Sequence, residues 1–181
     1  MVFISYTATP VGRILLAQAG EGLVGAWLEG QRYYMAGFDP NEVKNSETPL
    51  LTQAKGWLDD YFAGKRPNPS ALPLAPRGTP FRQTVWQLLC QIHYGQTVTY
   101  GQLARQIAAV RGGACPSARA VGSAVGHNPL SVIIPCHRVV GADECLTGYA
   151  GGLDTKARLL LHEGVRLSSD GRILSVTADP E

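Results

Sequence analysis

Residues 99–126 read TYGQLARQIAAVRGGACPSARAVGSAVG, and they decide what kind of domain the second half of the chain builds. Thr99 and Gln102 have the spacing of a capping box, in which each side chain satisfies a backbone N–H that a helix start leaves open. Leu103, Ala104, Ile107 and Ala108 then recur at helical spacing. Gly112-Gly113 breaks that helix, and Pro116 opens a second, short one through Val125. Two short helices joined by a glycine turn predict a helix-turn-helix. The second helix, Ser117–Gly126, is almost all small: Ala118, Ala120, Gly122, Ser123, Ala124, Gly126. Arg119 is the lone long side chain near its start. A major-groove reader needs long polar side chains to reach base edges. A small-residue helix serves either tight packing in a core or close backbone approach to DNA, the latter suited to sequence-indifferent minor-groove binding.

Outward from this motif, Thr79-Pro80 places proline at a first helical position, with Val85, Leu88, Leu89 and Ile92 on one face and a stop at Gly95. Asp154 is expected to cap a last helix ending at Gly164. The first half has a different rhythm. Residues 3–7, 14–17 and 23–28 are short apolar runs separated by Pro10-Val11-Gly12 and by residues 19–22, an alternation of strand and turn. Leu50, Leu51, Ala54, Trp57, Leu58 and Tyr61 then repeat with helical period and stop at Gly64. Residues 65–78 hold four prolines and no periodicity, and read as a linker. The prediction is an α/β N-terminal domain over 1–75, a small antiparallel sheet of three strands packed by a helix. A mainly α C-terminal domain of winged-helix-like, helix-turn-helix type follows over 79–168, then a tail, 169–181.

One pentapeptide carries chemistry. Pro135-Cys136-His137-Arg138-Val139 ends a β-branched apolar run, Val132-Ile133-Ile134, whose character predicts burial. A buried lone cysteine is usually inert. A thiol beside a histidine and an arginine has neighbours that favour the thiolate, which is the nucleophile. The pentapeptide by itself leaves both readings open. The four cysteines, Cys90, Cys115, Cys136 and Cys145, show no CxxC or CxxH spacing, so neither a metal site nor a disulfide framework is expected. A free thiol suits a reducing, cytoplasmic compartment. Nothing near the N-terminus resembles an export leader, and no apolar stretch reaches the ~18 residues of a membrane span.

Net charge is only +2, but its distribution is uneven. Residues 1–75 carry six Lys+Arg against seven Asp+Glu, residues 76–168 nine against four, and residues 169–181 one against three. The positive field sits on the segment that bears Cys136, and eight of its nine basic residues are arginines. That bias fits a polyanionic partner as well as an ordinary solvated surface.

The order and spacing of Tyr94–Tyr100, of Arg119-Ala120-Val121-Gly122-Ser123-Ala124-Val125-Gly126-His127-Asn128-Pro129, of the pentapeptide, of Thr147-Gly148-Tyr149-Ala150-Gly151-Gly152 and of Leu161-His162-Glu163-Gly164 resemble the O6-alkylguanine-DNA alkyltransferases. These are the methylated-DNA–protein-cysteine methyltransferases. The resemblance is strong from Thr79 to Val165 and weaker over residues 1–75. It implies one-shot transfer of an alkyl group from O6-alkylguanine, and from O4-alkylthymine, in double-stranded DNA to Cys136, with no cofactor or metal. It implies a monomer that binds through the minor groove with little sequence preference and extrudes the damaged nucleotide, because a stacked base is out of reach of a buried thiol.

By the same resemblance Cys136, a water, His137 and Glu163 form a proton relay, and Asn128 is a hinge tying the recognition helix to the active-site segment. Tyr100, the carbonyls of Cys136 and Val139, and the backbone of Tyr149 and Ala150 line the base pocket. Arg119 fills the gap left by the extruded base, beside the DNA-facing Ala120, Gly122 and Ser123. Because adjacent side chains on an extended segment face opposite ways, a direct Cys136–His137 contact is not expected. Glu163, at a helix end that opposes negative charge, predicts a compensating partner. Three rivals remain: a non-catalytic protein that binds alkyl lesions in DNA, which would lack the cysteine; a regulator, which would want a reading helix rich in Arg, Asn or Gln; and a Cys–His hydrolase, which would turn over.

Overall fold

The computed structural model describes residues 1–176. Two compact units divide the chain: Met1–Arg77 with Pro129–Ile134, and Gly78–Asn128 with the chain from Pro135 onward. The first unit is built on strands β1 (Val2–Thr9), β2 (Gly12–Ala19) and β3 (Gly22–Leu28), the antiparallel meander that the apolar runs predict. A fourth strand, β4 (Val43–Asn45), lies parallel to β1 and completes the order β3-β2-β1-β4. Three residues with one apolar side chain carry no period of their own, so β4 exists as an extension of β1 and not as a local preference.

Ile14, Leu15, Leu16 and Ala17 are all fully buried, so β2 is covered on both faces. Alternation sends Leu15 and Ala17 to one face, where they join Val2, Val24 and Trp27 and are covered by Tyr34, Met35 and Phe38. Ile14 and Leu16 turn to the other face, which α1 (Pro49–Phe62) covers with Leu51, Ala54, Trp57, Leu58 and Tyr61. Thr48 caps α1 by accepting from the Leu51 N–H at 3.1 Å. Residues 65–78 are not the loose linker that their prolines suggest. Leu72 is buried, Leu23 donates its N–H to the Pro73 carbonyl, and Ala75 donates to the Leu23 carbonyl, both at 2.8 Å. Prolines suit this path because the segment runs along a sheet edge, where a missing donor costs little.

The second unit contains α2 (Pro80–Leu89), β5 (Val98–Thr99), α3 (Tyr100–Arg111), α4 (Ala118–Gly126), β6 (Val139–Val140), α5 (Leu153–His162), β7 (Val165–Leu167) and β8 (Ile173–Val176). The capping box before α3 is present in both directions: Gln102 N–H donates to the Thr99 hydroxyl at 3.1 Å, and Thr99 N–H to the Gln102 amide oxygen at 2.7 Å. Gly112 ends α3 in the left-handed conformation. Ser117 caps α4, whose inward face is Val121, Ala124 and Val125. The Trp86 indole donates to the Ala124 carbonyl at 2.9 Å and locks α2 to α4.

Asp154 does not cap α5. Gly152 holds that position without a side-chain bond, and Asp154 lies in the first turn, where its carboxylate complements the helix dipole. Of the expected tail, residues 173–176 pair with β7, and residues 177–181 lie outside the described residues. Among the described residues no helix is long and apolar enough to cross a membrane.

Candidate active site

The apolar run before the cysteine is buried as expected, but it turns instead of extending, and Val132 adopts φ +71°. The run belongs to the first unit. Ala26 donates to the Pro129 carbonyl and Ser131 donates to the Ala26 carbonyl, both at 2.8 Å, and the Ser131 hydroxyl donates to Gln31 at 2.9 Å. The chain re-enters the second unit at Pro135, and Cys136–Arg138 forms one 3-10 turn. The premise that Cys136 and His137 lie on an extended segment is therefore replaced. In a 3-10 turn successive side chains diverge by about a third of a circle.

Cys136, His137 and Arg138 are all buried. The Asn128 amide donates to the Cys136 sulfur at 3.1 Å, which joins the end of α4 to the thiol. Burial pushes the Cys136 thiol above its ordinary value, against the Asn128 bond and the field of Lys156. The His137 ring meets Glu163 through Nε2 at 2.6 Å. That bond leaves Nδ1 as the ring nitrogen not engaged by Glu163.

The compensating partner of Glu163 is Arg138. Its Nε and second terminal nitrogen both donate to the carboxylate at 2.9 Å, a bidentate fork, and its other terminal nitrogen donates to the Ile92 carbonyl. Gly95 N–H gives a further bond to Glu163 at 3.0 Å. Gly95 sits at φ +75°, and a Cβ there would lie 2.9 Å from the Glu163 carbonyl oxygen, so glycine is required. Burial opposes the charged carboxylate, but His137 and Arg138 prevail and hold it well below the usual range. Burial lowers His137 despite Glu163 beside it, so the resting ring is biased toward neutral. In the sequence Arg138 reads as a neighbour of the thiol and Gly95 as a helix stop, and the structure turns both to Glu163. The weak signal was the arginine next to the histidine.

The base-pocket candidates converge through backbone pairing. Val98↔Val139 and Thr99↔Val140 form a parallel ladder that sets Tyr100, at the start of α3, beside the strand that follows Cys136. The Tyr100 hydroxyl donates to the Thr147 carbonyl at 3.2 Å. A Cβ on Gly148, at φ +60°, would lie 3.4 Å from that hydroxyl, and one on Gly122 would lie 4.0 Å from the ring. Tyr100 thus stands between α4 and the glycine loop. Tyr149 and Ala150 are half-buried in that loop. The Tyr149 hydroxyl is buried without a hydrogen-bond partner among the described residues, and burial keeps it protonated well beyond its ordinary value. Lys156, on which the sequence motifs are silent, is fully buried and donates to the carbonyls of Val139, Thr147 and Gly148.

On α4, Arg119, Ala120 and Ser123 are exposed and Gly122 is half-buried, so the small residues form the outward face. Cys115 is exposed, Cys90 and Cys145 are half-buried, and none is in a disulfide. Among the described residues no cluster of His, Cys, Asp and Glu has the makings of a metal site.

Comparison with known proteins follows the same division of the chain. Residues 2–76 match the ribonuclease-like domain of 6-O-methylguanine DNA methyltransferase, and residues 80–165 match its DNA binding domain. The methylated-DNA–protein-cysteine methyltransferase of Haemophilus influenzae is 40% identical over 91% of this chain and 87% of its own length. The constitutive enzyme of that name from Bacillus subtilis is 39% identical over 88% and 94%. A crystal structure of Mycobacterium tuberculosis OGT in complex with DNA superposes with a TM-score of 0.77 at 38% identity, covering 90% of this chain and 93% of that one. The chain belongs to the methylated-DNA–protein-cysteine methyltransferase family.

Proposed function

We propose that Cys136 accepts the alkyl group of O6-alkylguanine in double-stranded DNA, and by the same chemistry that of O4-alkylthymine, in one irreversible transfer. The observation that carries this is the buried set of Asn128, Cys136, His137, Glu163 and Arg138, in which every polar atom of the carboxylate is committed to holding the histidine and its neighbour. The thiol gives its proton through water to Nδ1 of His137. The sulfur attacks the alkyl carbon, a carbon–sulfur bond forms and the carbon–oxygen bond breaks. Guanine leaves with the proton that His137 returns. Glu163 orients the ring and stabilises its transient positive charge, as the third member of other nucleophile–base sets does. The thioether has no route back, so each molecule acts once.

The damaged nucleotide must leave the stack before the sulfur reaches it. Tyr100, the Val139 carbonyl, Tyr149 and Ala150 receive it. The outward face of α4, with Ala120, Gly122 and Ser123, is small enough to press into a minor groove, and Arg119 enters the gap. Contacts of this kind go mainly to phosphates, so binding is salt-sensitive and nearly sequence-indifferent. The protein works as a monomer, and its free thiol suits the cytoplasm.

Intact mass tests the reading. After mixing with DNA bearing one O6-methylguanine, the peptide containing Cys136 gains one methyl group, about 14 Da. Cys136→Ala binds the same DNA and gains nothing. Transfer to Cys90 or Cys145 overturns the assignment, and binding without any mass gain returns the protein to a lesion-binding role.

A further inference from the structure

Lys156 takes no part in the transfer step, yet its surroundings are unusual for a lysine. Lysines are almost never fully buried unless paired, and this one is fully buried with carbonyl partners in place of a carboxylate. An ammonium carries three N–H donors. Three carbonyls receive them: Val139, Thr147 at 2.9 Å and Gly148 at 3.0 Å. The acceptors come from two pieces of chain. Val139 opens β6 directly after the Cys136 turn, and Thr147 and Gly148 open the glycine loop. The Thr147 carbonyl also accepts from Tyr100, so one side chain ties together the strand after the nucleophile, the loop and Tyr100.

We propose that Lys156 is a positioning residue: by giving one hydrogen to each of three carbonyls it fixes the distance between β6 and the 147–148 turn, and that distance is what admits the extruded base. The inference rests on the pocket assigned above to Tyr100, Val139, Tyr149 and Ala150. The charge state matters to the clamp. A neutral amine has two N–H groups, and its lone pair faces the third carbonyl. Burial lowers the Lys156 ammonium to about 8, against the pull of Cys136. Cys136 and His137 are the titratable groups that feel Lys156, and Tyr100 shares its Thr147 acceptor.

The test compares two alkylations of Cys136 in the full-length protein. One uses a saturating single-stranded oligonucleotide bearing O6-methylguanine, which must enter the pocket. The other uses iodoacetamide, which needs only the thiolate. Both need the sulfur as a thiolate, while only the transfer needs the proton that His137 returns to guanine, so variants are compared at one pH. In Lys156→Met the ratio at pH 7.4 falls at least tenfold, and Lys156→Arg, whose donors are spread over a plane, recovers only part of it. Between pH 7 and pH 9.5 the ratio falls several-fold more in the wild type than in Lys156→Met, because the wild-type clamp loses its third donor on top of the relay's own pH dependence. A ratio insensitive to the substitution overturns the proposal. Equal losses in both alkylations overturn it too, because Lys156 would then act on the thiol. Should Lys156→Met fail to fold, Lys156→Gln, whose amide brings two N–H donors and no charge, takes its place, and an unchanged ratio there is a refutation. A wild type that reacts with iodoacetamide but never takes a methyl group from DNA strikes the transfer reading itself, a separate failure.

Discussion

Glu163 follows the last residue of α5, where the helix terminus disfavours a negative charge, and it is buried as well. It survives there as a carboxylate because Arg138 makes a fork to it. The fork and the histidine bond have separate consequences. Glu163→Gln keeps shape but loses the charge that supports a protonated His137, so transfer slows by roughly the 10²–10⁴-fold of a lost acid–base function while DNA affinity holds. A near-wild-type rate at neutral pH, measured by quenched single turnover, contradicts the relay. Arg138→Met removes the charged fork from a buried carboxylate and costs about 3–5 kcal/mol in urea denaturation. Arg138→Lys recovers little, because one ammonium cannot make the fork and also reach the Ile92 carbonyl. Acid acts on both partners of the pair. The folded Glu163 value is depressed below its ordinary 4.5, so its stabilisation is present above that value and is lost as pH falls. The folded His137 value is depressed below 6.5, so its contribution is likewise present above 6.5 and lost below it. The urea midpoint therefore declines as pH drops below 6.5 and falls faster below 4.5. A midpoint flat from pH 7 to pH 4 contradicts the assignment of these charge states.

At the scale of elements, α4 divides its labour by face. Val121, Ala124 and Val125 point inward, while Ala120 and Ser123 are exposed. A substitution on the outward face costs the fold within about 0.5 kcal/mol. Ala120→Glu and Ser123→Glu are therefore expected to keep the thermal midpoint, to weaken duplex binding at least tenfold at low salt and to leave iodoacetamide labelling of Cys136 unchanged. Loss of stability equal to the loss of binding would move these positions to the core. Arg119→Ala slows repair of duplex DNA far more than dealkylation of free O6-benzylguanine, because a free base needs no extrusion. Equal losses on both substrates withdraw the gap-filling role of Arg119. Ser117→Ala removes the cap on α4 and costs about 1 kcal/mol, which links the cap to the position of Arg119 two residues on.

At the scale of the whole molecule, the chain is not two units in sequence. Residues 129–134 leave the second unit after Asn128, take backbone bonds from Ala26 in the first unit, and return at Pro135. Leu130, Val132, Ile133 and Ile134 are buried. A fragment beginning at Gly78 keeps this apolar run but loses Ala26 and Gln31, the groups that bond it. It is expected to aggregate or to bind a hydrophobic dye, whereas the full chain does neither. A fragment that stays monomeric and dye-free would show that the run finds other cover.

The capping box at Thr99 and Gln102, the glycine break, the three strands of the meander and the helix over 49–62 were legible in the sequence because each is a local pattern. Periodicity, caps and turn residues act over a few positions and need no distant partner. The candidates Cys136, His137, Glu163 and Asn128 were legible because several motifs recur together in one order. What only the tertiary structure decided is who meets whom. Arg138 faces Glu163 across 25 positions, Gly95 reaches the same carboxylate across 68, and β4 forms on β1 from a stretch with no pattern of its own. No local pattern marks Lys156, and only the convergence of β6 and the glycine loop on α5 gives it three buried carbonyl partners. A buried charge depends on partners brought from elsewhere in the chain, and its own sequence neighbours say nothing about them.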